Sequence, residues 1–280
     1  MLTDMLKRTF IHLPKVGPRR EAHFWRQGIE TWEDLLAARQ VYGLSRERVR
    51  LLKKELRESV EHVADPGYFG PLLPLSEHWR LFRAFPRVGY LDIETTGTFW
   101  PGLLVTVVGL YDGATMRQFV HGYNLQEFPR VLEDFDLLVT FNGTQFDLPV
   151  LKAYFADLLL PPLHVDLRFL LARLGYRGGL KAVEWKLGLR RHTAIQGVDG
   201  FEAIRLWRRY RRGDRAALIK LALYNLTDVV NLVELVEIAV RHKTCLTACP
   251  SKDAQPNRGA TLNLDSEYLE SWLAEQMGRC

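Results

Sequence analysis

The 280-residue chain has little cysteine: three residues, Cys245, Cys249 and Cys280, all towards the C-terminal end. That is too few, and too late in the chain, for a disulfide framework. The Cys245-x-x-x-Cys249 pair has no neighbouring histidine or second cysteine pair, so a zinc site is not expected either. No uninterrupted run of about 18 apolar residues occurs, which excludes an obvious membrane span. The opening Met1-Leu2-Thr3-Asp4 carries an acid and lacks the basic-then-apolar pattern of a secretory signal. No internal repeat is visible. These absences lead to the expectation of a cytoplasmic protein without a membrane partner.

What is present is ordinary in bulk, with 47% hydrophobic and 25% charged residues. The charge distribution is more informative. Of the net +5, most comes from residues 1–62, which hold 13 Lys/Arg against 9 Asp/Glu, so the rest of the chain is close to neutral. A basic module joined to a near-neutral body with clustered acids suits a polyanionic substrate handled at a metal site.

Residues 1–62 read as helices. Leu13-Pro14-Lys15-Val16-Gly17-Pro18 forms a turn, with Pro18 placed to open a helix that breaks at Gly28. Thr31 and Ser45 are placed to cap the two helices that follow, the second running to about Glu61. Ala64-Asp65-Pro66-Gly67, Gly70-Pro71 and Pro74 mark residues 63–84 as a linker. The body changes character. Strands are predicted over residues 88–94, 103–111, 115–121, 137–141 and 163–167, with helices over 125–135 and from Pro149. From residue 168 to 240 the pattern is helical, broken at Gly175, Gly178-Gly179, Gly188 and Gly213. Hairpin-connected strands, then helix-crossed strands, then helices, predict an α/β fold with an RNase H-like mixed sheet flanked by helices. The predicted division is a helical module over 1–62, the linker, a body over 85–243, and a polar tail over 244–280.

Four acids sit at the ends of core elements. Asp92 and Glu94 are two apart on a strand, so their side chains leave the same face. Asp147 follows the loop after the strand 137–141. Tyr224 and Asp228 are four apart on a helix, hence also on one face. Any one could be a cap or a satisfied core residue. Buried together they would repel, and hard divalent cations offer compensation, since multiply anionic all-oxygen sites suit Mg²⁺ or Mn²⁺. Two such cations can serve phosphodiester hydrolysis. Asp166, on the fifth strand, has no place in this set, and a structural role is expected for it.

Leu91-Asp92-Ile93-Glu94-Thr95-Thr96-Gly97 resembles the first motif of the DnaQ-like, or DEDD, exonuclease superfamily. Asn142-Gly143-Thr144-Gln145-Phe146-Asp147 resembles its second, and Tyr224-Asn225-Leu226-Thr227-Asp228 its third. The Tyr-x-x-x-Asp form marks the tyrosine subclass, because Leu223 stands where the histidine subclass carries histidine. Tyr68-Phe69-Gly70, Glu77-His78-Trp79-Arg80 and Gly178-Gly179-Leu180-Lys181 look closest to bacterial YprB-type RNase H-like exonucleases. The resemblance implies a 3′→5′ exonuclease using two divalent cations, Mg²⁺ or Mn²⁺. Asp92 would bridge both metals, Glu94 and Asp228 would hold the one carrying the attacking water, and Asp147 would support the other. Tyr224 would orient that water; an ordinary phenol, with a pKa near 10, is a poor base at neutral pH. Thr95, Thr96, Asn142 and Phe146 would line the terminal nucleotides.

The segment 13–36 resembles a helix-hairpin-helix, in which backbone amides of the turn bind phosphate without reading sequence. Lys15 replaces the usual first hairpin glycine. Lys15, Gly17, Arg19 and Arg20 are the candidate contacts, with a protein-binding adaptor as the alternative. Arg208, Arg209 and Arg212, around Trp207 and Tyr210, are a second candidate nucleic-acid surface, or simply a solvated helix face. The expected partner is nucleic acid, DNA before RNA. The alternatives are an endonuclease acting on RNA or branched substrates, and a non-catalytic nucleic-acid-binding adaptor.

Overall fold

The computed structural model describes residues 5–97, 102–189, 191, 195 and 197–248. Three helices, α1 (Pro18–Arg26), α2 (Trp32–Ala37) and α3 (Arg46–Glu61), come first, followed by α4 (Pro66–Leu72). Their starts are set locally: Pro18 stands at N1 of α1, Thr31 and Asp34 form a reciprocal capping box on α2, and Ser45 caps α3. Five strands follow, β1 (Val88–Thr95), β2 (Val105–Tyr111), β3 (Met116–Val120), β4 (Leu137–Thr140) and β5 (Leu163–Asp166). They are interleaved with α5 (Phe128–Leu132) and α6 (Asp147–Tyr154), and followed by α7 (Leu167–Arg173), α8 (Leu180–Leu187), α9 (Gly200–Tyr210) and α10 (Arg215–Ala248).

The sheet order is β3-β2-β1-β4-β5. β1 lies at the centre, antiparallel to β2 and parallel to β4, while β5 extends the parallel side. β1 is buried along almost its whole length because both sheet faces are covered, which explains its continuous apolar pattern. One face carries Leu91, Ile93, Phe128, Leu132 and Leu151 from β1, α5 and α6. The other face packs against α10 through Tyr90, Val139, Val229 and Val236. Gly109 on β2 permits that approach: a Cβ there would meet Val229 Cγ2 at 2.8 Å and Asn225 Oδ1 closer still.

Three expectations change. The stretch 63–84 is folded: α4 and a 3-10 turn, Leu75–Leu81, bury Phe69, Trp79, Arg80 and Leu81. Its Pro and Gly residues mark helix starts and a close approach, with Gly70 packed under the Pro162 carbonyl. The N-terminal helices share the body's core, since Phe24, Trp32 and Leu52 belong to the same buried cluster as Trp79, Leu137 and Leu235. Glu21, 1% exposed, pairs with Arg80 at 3.0 Å and accepts the Phe10 amide at 2.7 Å. At the other end, α10 runs through residue 244 to Ala248, past its last core residue, Val240, with Thr244 still buried and Leu246 exposed; the rest of the expected tail lies outside the described residues. Arg215–Thr247 has the length and mean hydropathy of a membrane span, but 61% of its most apolar window is buried within the fold.

Candidate functional site

Asp92 and Glu94 stand near the C-terminal end of β1, on one face, as their spacing requires. α10 crosses that face and brings Tyr224 and Asp228, one turn apart, opposite them. Carboxylate oxygens of Asp92, Glu94 and Asp228 lie within 4.8 Å of one another. All three line a cavity of about 460 Å³, together with Asp147, Tyr224, Thr95, Asn142 and Phe146. Asp147 opens α6 and lines the cavity with Ile93, the residue between the two acids of the first motif.

The loop from β4 to α6 is pinned from below. Asp166 caps α7 and accepts the amides of Asn142 at 2.8 Å, Thr144 at 3.0 Å and Arg168 at 3.1 Å. Its expected structural role is therefore specific: it fixes the loop that carries Asn142, Phe146 and Asp147. Asn142 sits at φ 70°, outside the usual range for a side-chain-bearing residue, and Arg168 holds its Oδ1 at 2.6 Å.

Electrostatically, the site is an excess of buried anions. Burial, then repulsion from Asp228 and Asp147, pushes Asp92 and Glu94 well above the usual carboxylate range. Burial raises Asp147 to about 7, and raises Asp228 to about 6 against the opposing pull of Arg191. Arg191 lies 2.5 Å from Asp228 but also 2.5 Å from Glu184, so its charge is shared. Lys181 is the other nearby cation among the described residues, 4.9 Å from the Tyr224 ring centre. Among those residues, four carboxylates against two cations leave net negative charge, and the hard oxygen donors fit a divalent ion. Tyr224, one turn before Asp228 on α10, is pushed above the ordinary phenol range by burial and by the carboxylates.

Several residues near the acids were not anticipated. Asn225 donates to the Asp92 carbonyl at 3.2 Å and to its Oδ2 at 3.1 Å, while Gln118 Nε2 donates to Asn225 Oδ1 at 3.1 Å. Its position between the two motif residues of α10 was the only available signal. Asp199 and Phe201, at the start of α9, also line the cavity. Asp199 spends its carboxylate capping Glu202, whereas the Phe201 ring is 75% exposed.

Other sequence candidates fall outside the cavity. Thr96 is not among its lining residues; its hydroxyl accepts the Leu104 amide and bridges the two arms of the β1–β2 connection. Lys15, Gly17, Arg19 and Arg20 lie on the turn and first helix of the N-terminal region, with Lys15 in left-handed backbone and Arg20 bonded to its carbonyl. Arg208 and Arg209 lie on α9 beyond the cavity-lining residues and Arg212 follows that helix; Arg209 is paired with Asp214 at 2.6 Å. Trp207 is core, 4% exposed against His121 and Tyr210.

A family model described as RNase_H superfamily (RNase_H_2) matches residues 89–240. No curated protein matches the sequence. Among solved structures, the family B DNA polymerase from the hyperthermophilic archaeon Pyrobaculum calidifontis is similar at 18% identity and TM-score 0.47. That match covers 57% of this chain and 25% of the polymerase. Escherichia coli RNase D, an exoribonuclease involved in structured RNA processing, is similar at 17% identity and TM-score 0.40, over 73% of this chain and 48% of RNase D. The chain thus spans about a quarter of the first protein and half of the second.

Proposed function

The chain belongs to the RNase_H superfamily, and from that premise we propose that it is a divalent-metal-dependent 3′→5′ exonuclease acting on nucleic acid, DNA before RNA. The observation that carries the proposal is the convergence of Asp92, Glu94 and Asp228 within 4.8 Å, in a cavity that Asp147 and Tyr224 also line. Those four acids would hold two Mg²⁺ or Mn²⁺ ions, with the roles that the DEDD resemblance implies. When bound, the cations would acidify the attacking water and neutralise charge on the phosphodiester.

The protein's own groups do the rest. Tyr224 stays protonated, so it orients a water and does not deprotonate it. Asn225 fixes the rotamer of Asp92. Thr95, Asn142 and Phe146 form the wall beside the acids, where a terminal nucleotide would sit with its ring against Phe146. An N-terminal helix-hairpin-helix-like turn gripping phosphate through Lys15, Gly17 and Arg19 belongs to the same proposal. Because that region is built into the shared core, point changes such as Lys15→Glu, and not truncation, are the way to test it.

The experiment is digestion of 5′- and 3′-labelled DNA and RNA with Mn²⁺ or a chelator, by the wild type and Asp92→Ala. Metal-dependent release of terminal nucleotides from the 3′ end, lost in the variant, is expected. Internal fragments would make it an endonuclease. Binding without cleavage would make it an adaptor, and release of 5′ nucleotides would reverse the polarity.

A further inference from the structure

A second cavity, of about 510 Å³, lies on the far side of the loop that walls the catalytic one. Asn142 and Phe146 face the catalytic cavity, while Thr144 and Asp166 line the second, so one five-residue loop, 142–146, separates them. The floor of the second cavity is apolar, with Trp79 and Val165 buried beneath it. Its rim is the outer face of α7 and the chain beyond: Phe169, Arg173 and Arg177, all exposed. Arg168, also exposed, sits at the crest between the cavities, bonded to Asn142 and Gln145.

The charges favour an anion. Arg177 has no acidic partner among the described residues. Arg173 meets Glu77 only at 3.8 Å, and Glu77 is already engaged by Arg80 at 2.8 Å. Lys243 lies over the Trp79 ring; burial holds it below the usual lysine range, with Glu77 pulling it up and Arg173 and Arg80 pushing it down. Among the described residues, the one acid in the wall, Asp166, spends its oxygens on three backbone amides. Cations spaced along a rim, with an exposed aromatic ring over an apolar floor, match what a single nucleic-acid strand offers: phosphates at intervals and bases able to stack.

We propose that this second cavity is the binding site for the single-stranded part of the substrate upstream of the terminal nucleotides, with the strand crossing the 142–146 loop from one cavity to the other. Phe169 stacks a base, and Arg173 and Arg177 each contact a phosphate. The inference rests on the nuclease reading and extends it: the enzyme should prefer strands long enough to occupy both cavities.

The test separates binding from chemistry. Fluorescence anisotropy would follow 5′-labelled oligothymidylates of about 3 and about 12 nucleotides, in chelator, on the full-length Asp92→Asn protein. Affinity should rise with length. Added Arg177→Glu or Phe169→Ala should weaken the longer strand about tenfold and leave the shorter one unchanged. Arg177→Glu should also flatten the log K versus log salt slope by about 0.7, one phosphate contact on a single strand, and Arg177→Lys should retain it. Unchanged affinity for the longer strand, or equal loss for both lengths, would overturn the proposal. Turnover in Mn²⁺ keeps the two readings apart. If no strand is cleaved but the length-specific loss appears, the nuclease reading fails and the strand site stands. If the wild type and Arg177→Glu cleave the longer strand with the same KM, the strand site fails alone.

Discussion

Removing one charge from the carboxylate cluster should stabilise the metal-free protein, and Asp92→Asn is the cleanest way to do it. The amide keeps an oxygen to accept from Asn225 while deleting an anion that faces Asp228, Asp147 and Glu94. A carboxylate whose folded pKa lies above its unfolded value contributes stability that is complete below the unfolded value. That contribution is lost as pH rises through the folded one. Asp147 moves from 3.8 to about 7 and Asp228 from 3.8 to about 6. At ~1.4 kcal/mol per unit, Asp147 alone represents about 4 kcal/mol lost between low pH and pH 8. Buried histidines act in the opposite sense. Burial lowers His12 to about 3 and His164 to about 4, so both favour folding above their unfolded value of 6.5 and oppose it as pH falls. Between pH 6.5 and 8 the histidines stay neutral in the folded state and shed the remaining charge only of the unfolded one, a small term that the wild type and the variant share, while the raised carboxylates titrate in the folded state. In chelator, the wild type should therefore melt lower at pH 8 than at pH 6.5. Its deficit against Asp92→Asn should widen over the same window, the histidine contributions cancelling in the comparison. A gap of about 2–3 kcal/mol corresponds to roughly 3–5 °C in Tm for a chain of this size. Mn²⁺ at about 100 times its Kd should return about 2.7 kcal/mol to the wild type and much less to the variant. Scanning calorimetry at three pH values, with and without Mn²⁺, gives all of these quantities. Coincident melting curves for the two proteins across the window would refute the claim that these acids repel.

Asn225→Ala should cut Mn²⁺ affinity about 10–100-fold by freeing the Asp92 rotamer, read by calorimetric titration. An unchanged titration would mean that Asp92 holds its pose unaided. Tyr224→Phe should lower kcat while leaving metal affinity level, because the phenol is assigned to water; equal activity in single-turnover assays would remove it from the mechanism. Arg80→Ala should cost about 3–5 kcal/mol in denaturant unfolding by stranding Glu21 in the core, and a loss below ~1 kcal/mol would show that water reaches that pair.

Local chemistry sufficed for much of this molecule. Alternation and turn residues located the strands. The two-residue spacing of Asp92 and Glu94, and the four-residue spacing of Tyr224 and Asp228, fixed which side chains share a face, because helix and strand periods are properties of the backbone alone. The caps at Thr31 and Ser45 were equally legible, since each involves residues three apart in the chain. Partners across long sequence distances were not. Asn225 reads as one more polar residue on a helix until Gly109 and Gln118, more than 100 residues earlier, are seen to admit and orient it. Asp166 was expected to be structural, but which segment it holds emerged only when the fold set it beneath the 142–146 loop. The stretch 63–84 looked like a linker because Pro and Gly mark both flexible connections and tight, buried turns. Only packing against the N-terminal helices, sealed by Glu21 and Arg80, distinguishes the two. Periodicity says which way a side chain points; what it meets there depends on how the elements stack, and that was decided by tertiary packing.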